Sequence, residues 1–278
     1  MNPLRQPNTK CNIRRYSLSH CIFIPVYLLV LVMVQGCIDP CDYHECLNDG
    51  VCDDWECLCS EGWMGEDCSI PLCEPVEFNG HSYETVGIGS QCWFSENLRT
   101  TEYANGDAIP GGLGIVNWSN TNLGAQSIPS NSQENLELYG RLYNWHAVKD
   151  SRGLCPAGWH VPTDEEWMQL EMELGLTHTE AHSEGDRGWS AGKPLKSSAT
   201  DSPPWDGSNS TGFSGLPGGL RAFDGTFWAI GGSGLWWSSS SCADDTKAWF
   251  RRLESNHRFI VRSSYYQRSG MSVRCIRD

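Results

Sequence analysis

Six cysteines stand between Cys41 and Cys68, spaced Cys41-x4-Cys46-x5-Cys52-x4-Cys57-x-Cys59-x8-Cys68. From Cys37 to Cys73 large apolar residues are few, and Asp, Gly and Cys dominate. A segment of about 40 residues rarely offsets chain entropy without covalent staples. Each disulfide adds roughly 2–4 kcal/mol by restricting the unfolded chain. Disulfides persist only in oxidising compartments, so this chain works outside the cytoplasm. Most cytosolic enzymology is thereby excluded. Spacing alone does not choose among the possible pairings. The competing reading of Cys57-x-Cys59 is a zinc knuckle. Zinc sites favour Cys-x2–4-Cys pairs matched by a second pair or by His at a set distance, and that set is absent here.

The N-terminus agrees with export. Residues 1–36 contain Arg5, Lys10, Arg14 and Arg15 and no acid, and an apolar run follows from Cys21 to Val34. A basic region followed by a short apolar one is a secretory signal. The run is shorter than the roughly 20 residues that span a bilayer, and Pro25 disturbs a spanning helix. Val34-Gln35-Gly36-Cys37 then resembles a bacterial lipobox. The resemblance implies cleavage after Gly36, a lipid on Cys37, and residence at the bacterial outer membrane or cell surface. The alternative is an ordinary cleaved signal, with Cys37 as a structural thiol.

Removing residues 1–36 takes four of the 20 Lys and Arg and no acid, leaving 16 against 34 Asp and Glu, a formal −18. Nucleic acid and anionic headgroups are excluded as partners by that balance. The cysteine pattern, closing on Gly62-Trp63-Met64-Gly65-Glu66-Asp67-Cys68, resembles an epidermal-growth-factor-like (EGF-like) module over residues 37–73. The resemblance implies the pairs Cys41–Cys52, Cys46–Cys57 and Cys59–Cys68. Calcium-binding members place acids just before the first cysteine. Here Pro40 occupies one of those places and only Asp39 fits. Calcium takes 6–8 oxygen ligands, so no metal is expected.

Residues 76–278 suffice for one sizeable domain. Short apolar runs separated by Gly, Asn, Pro and Ser favour strands and long loops. Strands are expected over 81–86, 91–94, 226–229, 235–238, 248–253, 259–263 and 271–276, with Asp224-Gly225 as a hairpin turn. Thr163 and Glu166 form a capping box for a helix that stops at Gly175. A second helix is expected over 137–148, with Leu138, Leu142 and Trp145 on one stripe.

Seven motifs in this segment resemble the Fibrobacter succinogenes major paralogous domain. They begin with Gln91-Cys-Trp-Phe-Ser-Glu-Asn-Leu98, Tyr139-Gly-Arg-Leu-Tyr-Asn-Trp145 and the run from Cys155 to Trp167. They continue with Ala191-Gly-Lys-Pro-Leu-Lys196, Gly212 to Arg221, Leu235-Trp-Trp-Ser-Ser-Ser240 and Ser272 to Asp278. The resemblance implies a secreted or lipid-anchored protein and supplies no catalytic role to carry over. The element order is in turn similar to C-type-lectin-like and formylglycine-generating-enzyme-like folds. The expected class is therefore α+β: a small stapled module, then a lectin-like domain of short strands and loops. That likeness implies Cys155–Cys275. Cys73, Cys92 and Cys242 remain, with Cys73–Cys92 and Cys92–Cys242 both open. Trp236 and Trp237 alternate across a strand, so one is expected in the core and one outside. With Arg221 they form the expected ligand site.

Catalytic patterns fail on context. Gly188-Trp-Ser-Ala-Gly192 lacks the buried strand and following helix of a nucleophile elbow. His178 and His182 are four apart without the His-Glu-x-x-His order and are expected in a surface loop. No cofactor is expected. Two functions survive: a surface-displayed binding or adhesion protein for glycans or envelope partners, and an extracellular enzyme acting on polysaccharide or protein.

Overall fold

The computed structural model describes residues 45–53, 56–60, 62–71 and 73–278. Cys37 and Cys41 lie outside the described residues, as does the signal segment. Among the described residues no helix is long and apolar enough to cross a membrane.

The N-terminal part is two small hairpins, Val51–Asp53 with Glu56–Leu58 and Trp63–Met64 with Ile70–Pro71. Cys46 is bonded to Cys57 and Cys59 to Cys68. Cys52 is disulfide-bonded as well. Gly50 is required beside this core, because a Cβ there would stand 2.7 Å from the Cys68 sulfur. Cys73 is bonded to Cys92, and Cys155 to Cys275. Cys242 is the one free cysteine among the described residues.

The large domain is strand-rich with short helices. A five-stranded sheet runs Phe227–Trp228, Leu220–Arg221, Gly270–Met271, Leu142–Asn144, Gln126–Ser127. A four-stranded sheet runs Trp159–His160, Ile276–Arg277, Gln91–Phe94, Thr85–Ile88. A second four-stranded sheet holds the long meander Ser233–Ser241, Lys247–Glu254, Ile260–Tyr266, edged by Gly185–Arg187.

The expected helix over 137–148 is corrected. Gln133–Tyr139 is helical, Leu142–Asn144 is a strand, and Trp145–Val148 is one further turn. Gly140 ends the first helix at φ 72°, and a Cβ there would meet the carbonyls of Asn97 and Leu98 at 3.0 Å. Leu142–Asn144 is then paired with a strand on each side, Gly270–Met271 and Gln126–Ser127. The expected strand 271–276 is likewise two short strands in different sheets, Gly270–Met271 and Ile276–Arg277. The capped helix is present as Asp164–Glu173, with both bonds of the capping box formed.

Two apolar cores lie on either side of strand Ser233–Ser241. One gathers Phe94, Tyr143, Trp237, Phe250 and Met271. The other gathers Trp93, Trp167, Phe213, Trp236 and Ile260. Buried indoles find polar partners, as they must. Trp236 Nε1 donates to Asn97 Oδ1 (2.8 Å) and Trp237 Nε1 to the Tyr143 carbonyl (2.9 Å).

Candidate functional site

The sequence-predicted trio does not form a surface. Trp236 and Trp237 are both fully buried, and Arg221 is 2 % exposed. The alternation itself is kept, since the two indoles leave opposite faces of their strand. Both faces are covered, because the strand divides two cores. Arg221 donates from Nε to the Gly225 carbonyl (3.1 Å) and from Nη2 to that of Leu113 (2.7 Å). Its guanidinium lies over Trp118 and Phe227. These three residues are corrected from ligand contacts to internal packing.

Other motif cations are internal too. Arg274 donates to Asn97 Oδ1 and to the carbonyls of Phe94, Phe213 and Ser214. Lys196 Nζ donates to the carbonyls of Glu254 (3.0 Å) and His257 (2.8 Å) and stands 2.6 Å from Asp206. Both are buried.

The capped helix sits on a buried ionic cluster supplied by the meander. Glu171 receives both Nη atoms of Arg187 at 2.7 Å and Nε of Arg251 at 2.5 Å. Asp164 receives Nη1 of Arg251 (2.6 Å) and Nη2 of Arg262 (2.6 Å). Burial alone would raise the Asp164 carboxyl. The Arg262 hydrogen bonds and the Arg251 charge outweigh it and hold the group below its ordinary value. Every carboxylate oxygen in the cluster is engaged, so the cluster is a strut with no group left to react.

His160 bridges the same helix to the last strand. Its Nε2 is 2.8 Å from Glu166 Oε1 and its Nδ1 2.6 Å from Asp278 Oδ1. The Glu166 bond, assisted by Asp278, outweighs partial burial and pushes the imidazole up to about 9. It is a fixed cation at neutral pH, with both nitrogens occupied.

His178 and His182 stack at 4.0 Å between centroids in a helical turn, His178–His182, capped by Thr177 and Glu180. The expected loop is therefore a short helix. The capping pair Thr177-x-x-Glu180 was the missed signal. Among the described residues no three His, Cys, Asp or Glu side chains converge to hold a metal.

The strongest candidate site is a groove between the 220–228 hairpin and the face of the meander that carries Leu235 and Phe250. It has a volume of about 310 Å³, near the small end for ligand sites. Leu220, Leu235, Phe250, Val261 and Met271 line its floor, with Arg252, Ser263 and Tyr265 around them. Register places Phe250 opposite Ser263, and Arg252 opposite Val261, so these side chains share one face. Tyr265 continues into an aromatic cluster. Phe250 lies 6.3 Å away between centroids, Tyr266 5.6 Å and Phe223 6.4 Å, with Phe223 4.6 Å from Tyr266. Trp228, paired with Leu220 across the hairpin, is 62 % exposed. Its Nε1 donates to Thr226 Oγ1 (2.7 Å), which fixes the ring. Arg252 Nε stands 3.1 Å from Glu254 Oε1, off the hydrogen-bond angle.

A family model described as the Fibrobacter succinogenes major domain matches residues 86–277. The chain belongs to that family. No curated protein and no solved structure matches it. The Fibrobacter succinogenes major domain covers all three larger sheets and the groove, and leaves the stapled N-terminal module outside. Its motif residues hold loops to sheets from within, as Lys196, Arg221 and Arg274 do. Tyr265 in the groove, and Phe223, Trp228 and Tyr266 near it, lie between the motifs. That is why reading the motifs pointed to buried residues.

Proposed function

We propose that this protein is a surface-displayed, non-catalytic binding module with glycans as its ligand class. In this reading residues 1–36 export it, Cys37 carries the lipid that anchors it at the outer membrane or cell surface, and the EGF-like module spaces the head from the membrane. The membrane is then a partner only through the anchor, and nucleic acid is excluded by charge. Membership of the Fibrobacter succinogenes major domain family supports the reading without supplying a ligand. The observation that carries it is the groove lined by Phe250 and Tyr265, with the exposed Trp228 on the neighbouring hairpin. Aromatic faces give apolar area to sugar rings, and nearby hydroxyls fix orientation. No nucleophile–base pair accompanies that groove among the described residues.

Two measurements test it. Fatty-acid labelling in a bacterial host should mark the wild-type chain and not Cys37→Ser. A glycan array with the purified protein should show binding that weakens in Tyr265→Ala while circular dichroism is unchanged. Hydrolysis of an arrayed polysaccharide or of a protein by the purified wild type would replace this reading with an enzyme.

A further inference from the structure

We infer that the groove takes neutral pyranose chains of gluco or xylo configuration and discriminates against uronic-acid polymers. The inference rests on the glycan-binding reading above and narrows it to one ligand chemistry.

The rings come first. Phe223, Tyr265 and Tyr266 form one contiguous cluster, with Trp228 presented at the hairpin rim. A pyranose whose hydroxyls are all equatorial offers a flat C–H face to such rings. An axial hydroxyl interrupts that face and brings a polar group against an apolar surface without a partner.

Beside Arg252, the polar groups lining the groove are neutral hydroxyls. Among the described residues no hydrogen bond engages the hydroxyls of Ser263 or Tyr265. Burial, and then the nearby Asp224 carboxylate, raise the Tyr265 phenol, so it stays a neutral donor. Hydroxyl groups that both donate and accept suit a polyol.

The cations beside the groove are already balanced. Arg252 faces Glu254 at 3.1 Å, and Lys247 faces Asp244 at 3.1 Å while lying over Tyr266. Arg221 has an unpartnered buried Nη1, but it leaves the face of its strand opposite to Leu220 and is enclosed by Trp118 and Phe227. A uronate carboxylate would have to compete with Glu254 for Arg252, the cation lining the groove, and would meet the Asp224 carboxylate beside Tyr265, on a chain of net charge −14.

The test is titration calorimetry of the full-length protein in neutral detergent. The probes are gluco- and xylo-configured hexasaccharides and hexagalacturonate. Neutral hexamers are expected to bind at least tenfold more tightly than hexagalacturonate. Trp228→Ala and Tyr265→Ala should each weaken neutral binding by about three- to tenfold, the worth of one aromatic contact. Tyr265→Phe, which keeps the ring, should lose less than Tyr265→Ala. Trp228 is exposed, so its removal leaves the fold intact and keeps the test decisive. Tighter binding of hexagalacturonate, weakened by salt and lost in Arg252→Ala, would overturn the neutral-sugar inference and leave the glycan reading standing. No binding of any probe, or binding untouched by either alanine variant in folded protein, would overturn both.

Discussion

Glu171→Gln is expected to be among the most destabilising single changes in the large domain. Glu171 is fully buried and accepts three guanidinium hydrogen bonds between 2.5 and 2.7 Å. Together with Asp164 it faces Arg187, Arg251 and Arg262, two carboxylates against three cations. The amide keeps the shape but removes one of the two negative charges. It also turns a donor toward other donors. Breaking a buried ion pair from one side costs about 3–5 kcal/mol, because the remaining charge is left uncompensated. That is a large share of the roughly 5–15 kcal/mol that holds a typical domain together. At about 2–4 °C per kcal/mol for a domain near this size, Tm falls by about 6–20 °C. Urea unfolding followed by tryptophan fluorescence, with disulfides oxidised, measures the change as a shift in midpoint at constant slope. The double variant Glu171→Met with Arg187→Met restores the original charge balance with apolar groups, and should recover at least half of the loss. A loss below about 1 kcal/mol in Glu171→Gln, the value of an exposed pair, would refute the reasoning. So would a double variant worse than the sum of its singles.

His160 gives a pH-dependent term of known sign. Its folded pKa, about 9, is above the ordinary 6.5, so its contribution is complete below about 6.5 and is lost as pH rises through 9. The side chain is partly solvated, which limits the contribution to roughly 1 kcal/mol. The stability gap between wild type and His160→Gln should therefore close between pH 6 and pH 9.5; a gap that widens would reverse the assignment. Cys155 and Cys275 close a loop of 120 residues. Replacing both with Ala should lower stability by about 2–5 kcal/mol, read from urea midpoints. A midpoint within error of wild type would show that the loop is held by its other contacts alone.

Local chemistry was legible in the sequence and layering was not. The capping box at Thr163, the Asp224-Gly225 turn and the meander strands follow from spacing and turn residues over a few positions. Alternation put Trp236 and Trp237 on opposite faces correctly. It did not reveal that both faces are covered, because that depends on strands far away in the chain. Leu142 fitted a helical stripe equally well as a strand, and only the strands at 126–127 and 270–271 decide the matter. Arg221 stood beside glycine and aromatics, a pattern shared by ligand contacts and by buried cations held on carbonyls. The groove was the least legible part. Its residues come from the 220–228 hairpin, from all three strands of the meander and from strand Gly270–Met271, and no motif joins them. Tyr265-Tyr266 at the end of a strand and Trp228 three positions beyond the turn glycine Gly225 were its only local marks.

The bond from Cys73 to Cys92 also determines how the head meets tension. A pull on the N-terminal module does not travel along residues 74–91. It passes through the sulfurs into strand Gln91–Phe94, which is paired on both sides within its sheet. The intervening segment, with its hairpin Val76–Phe78 and His81–Tyr83, lies outside the load path. Its 18 residues between cysteines 19 positions apart, roughly 60 Å if drawn out, cannot be released while the bond stands. The N-terminal module is therefore coupled to the large domain through a central strand rather than through a terminal hairpin.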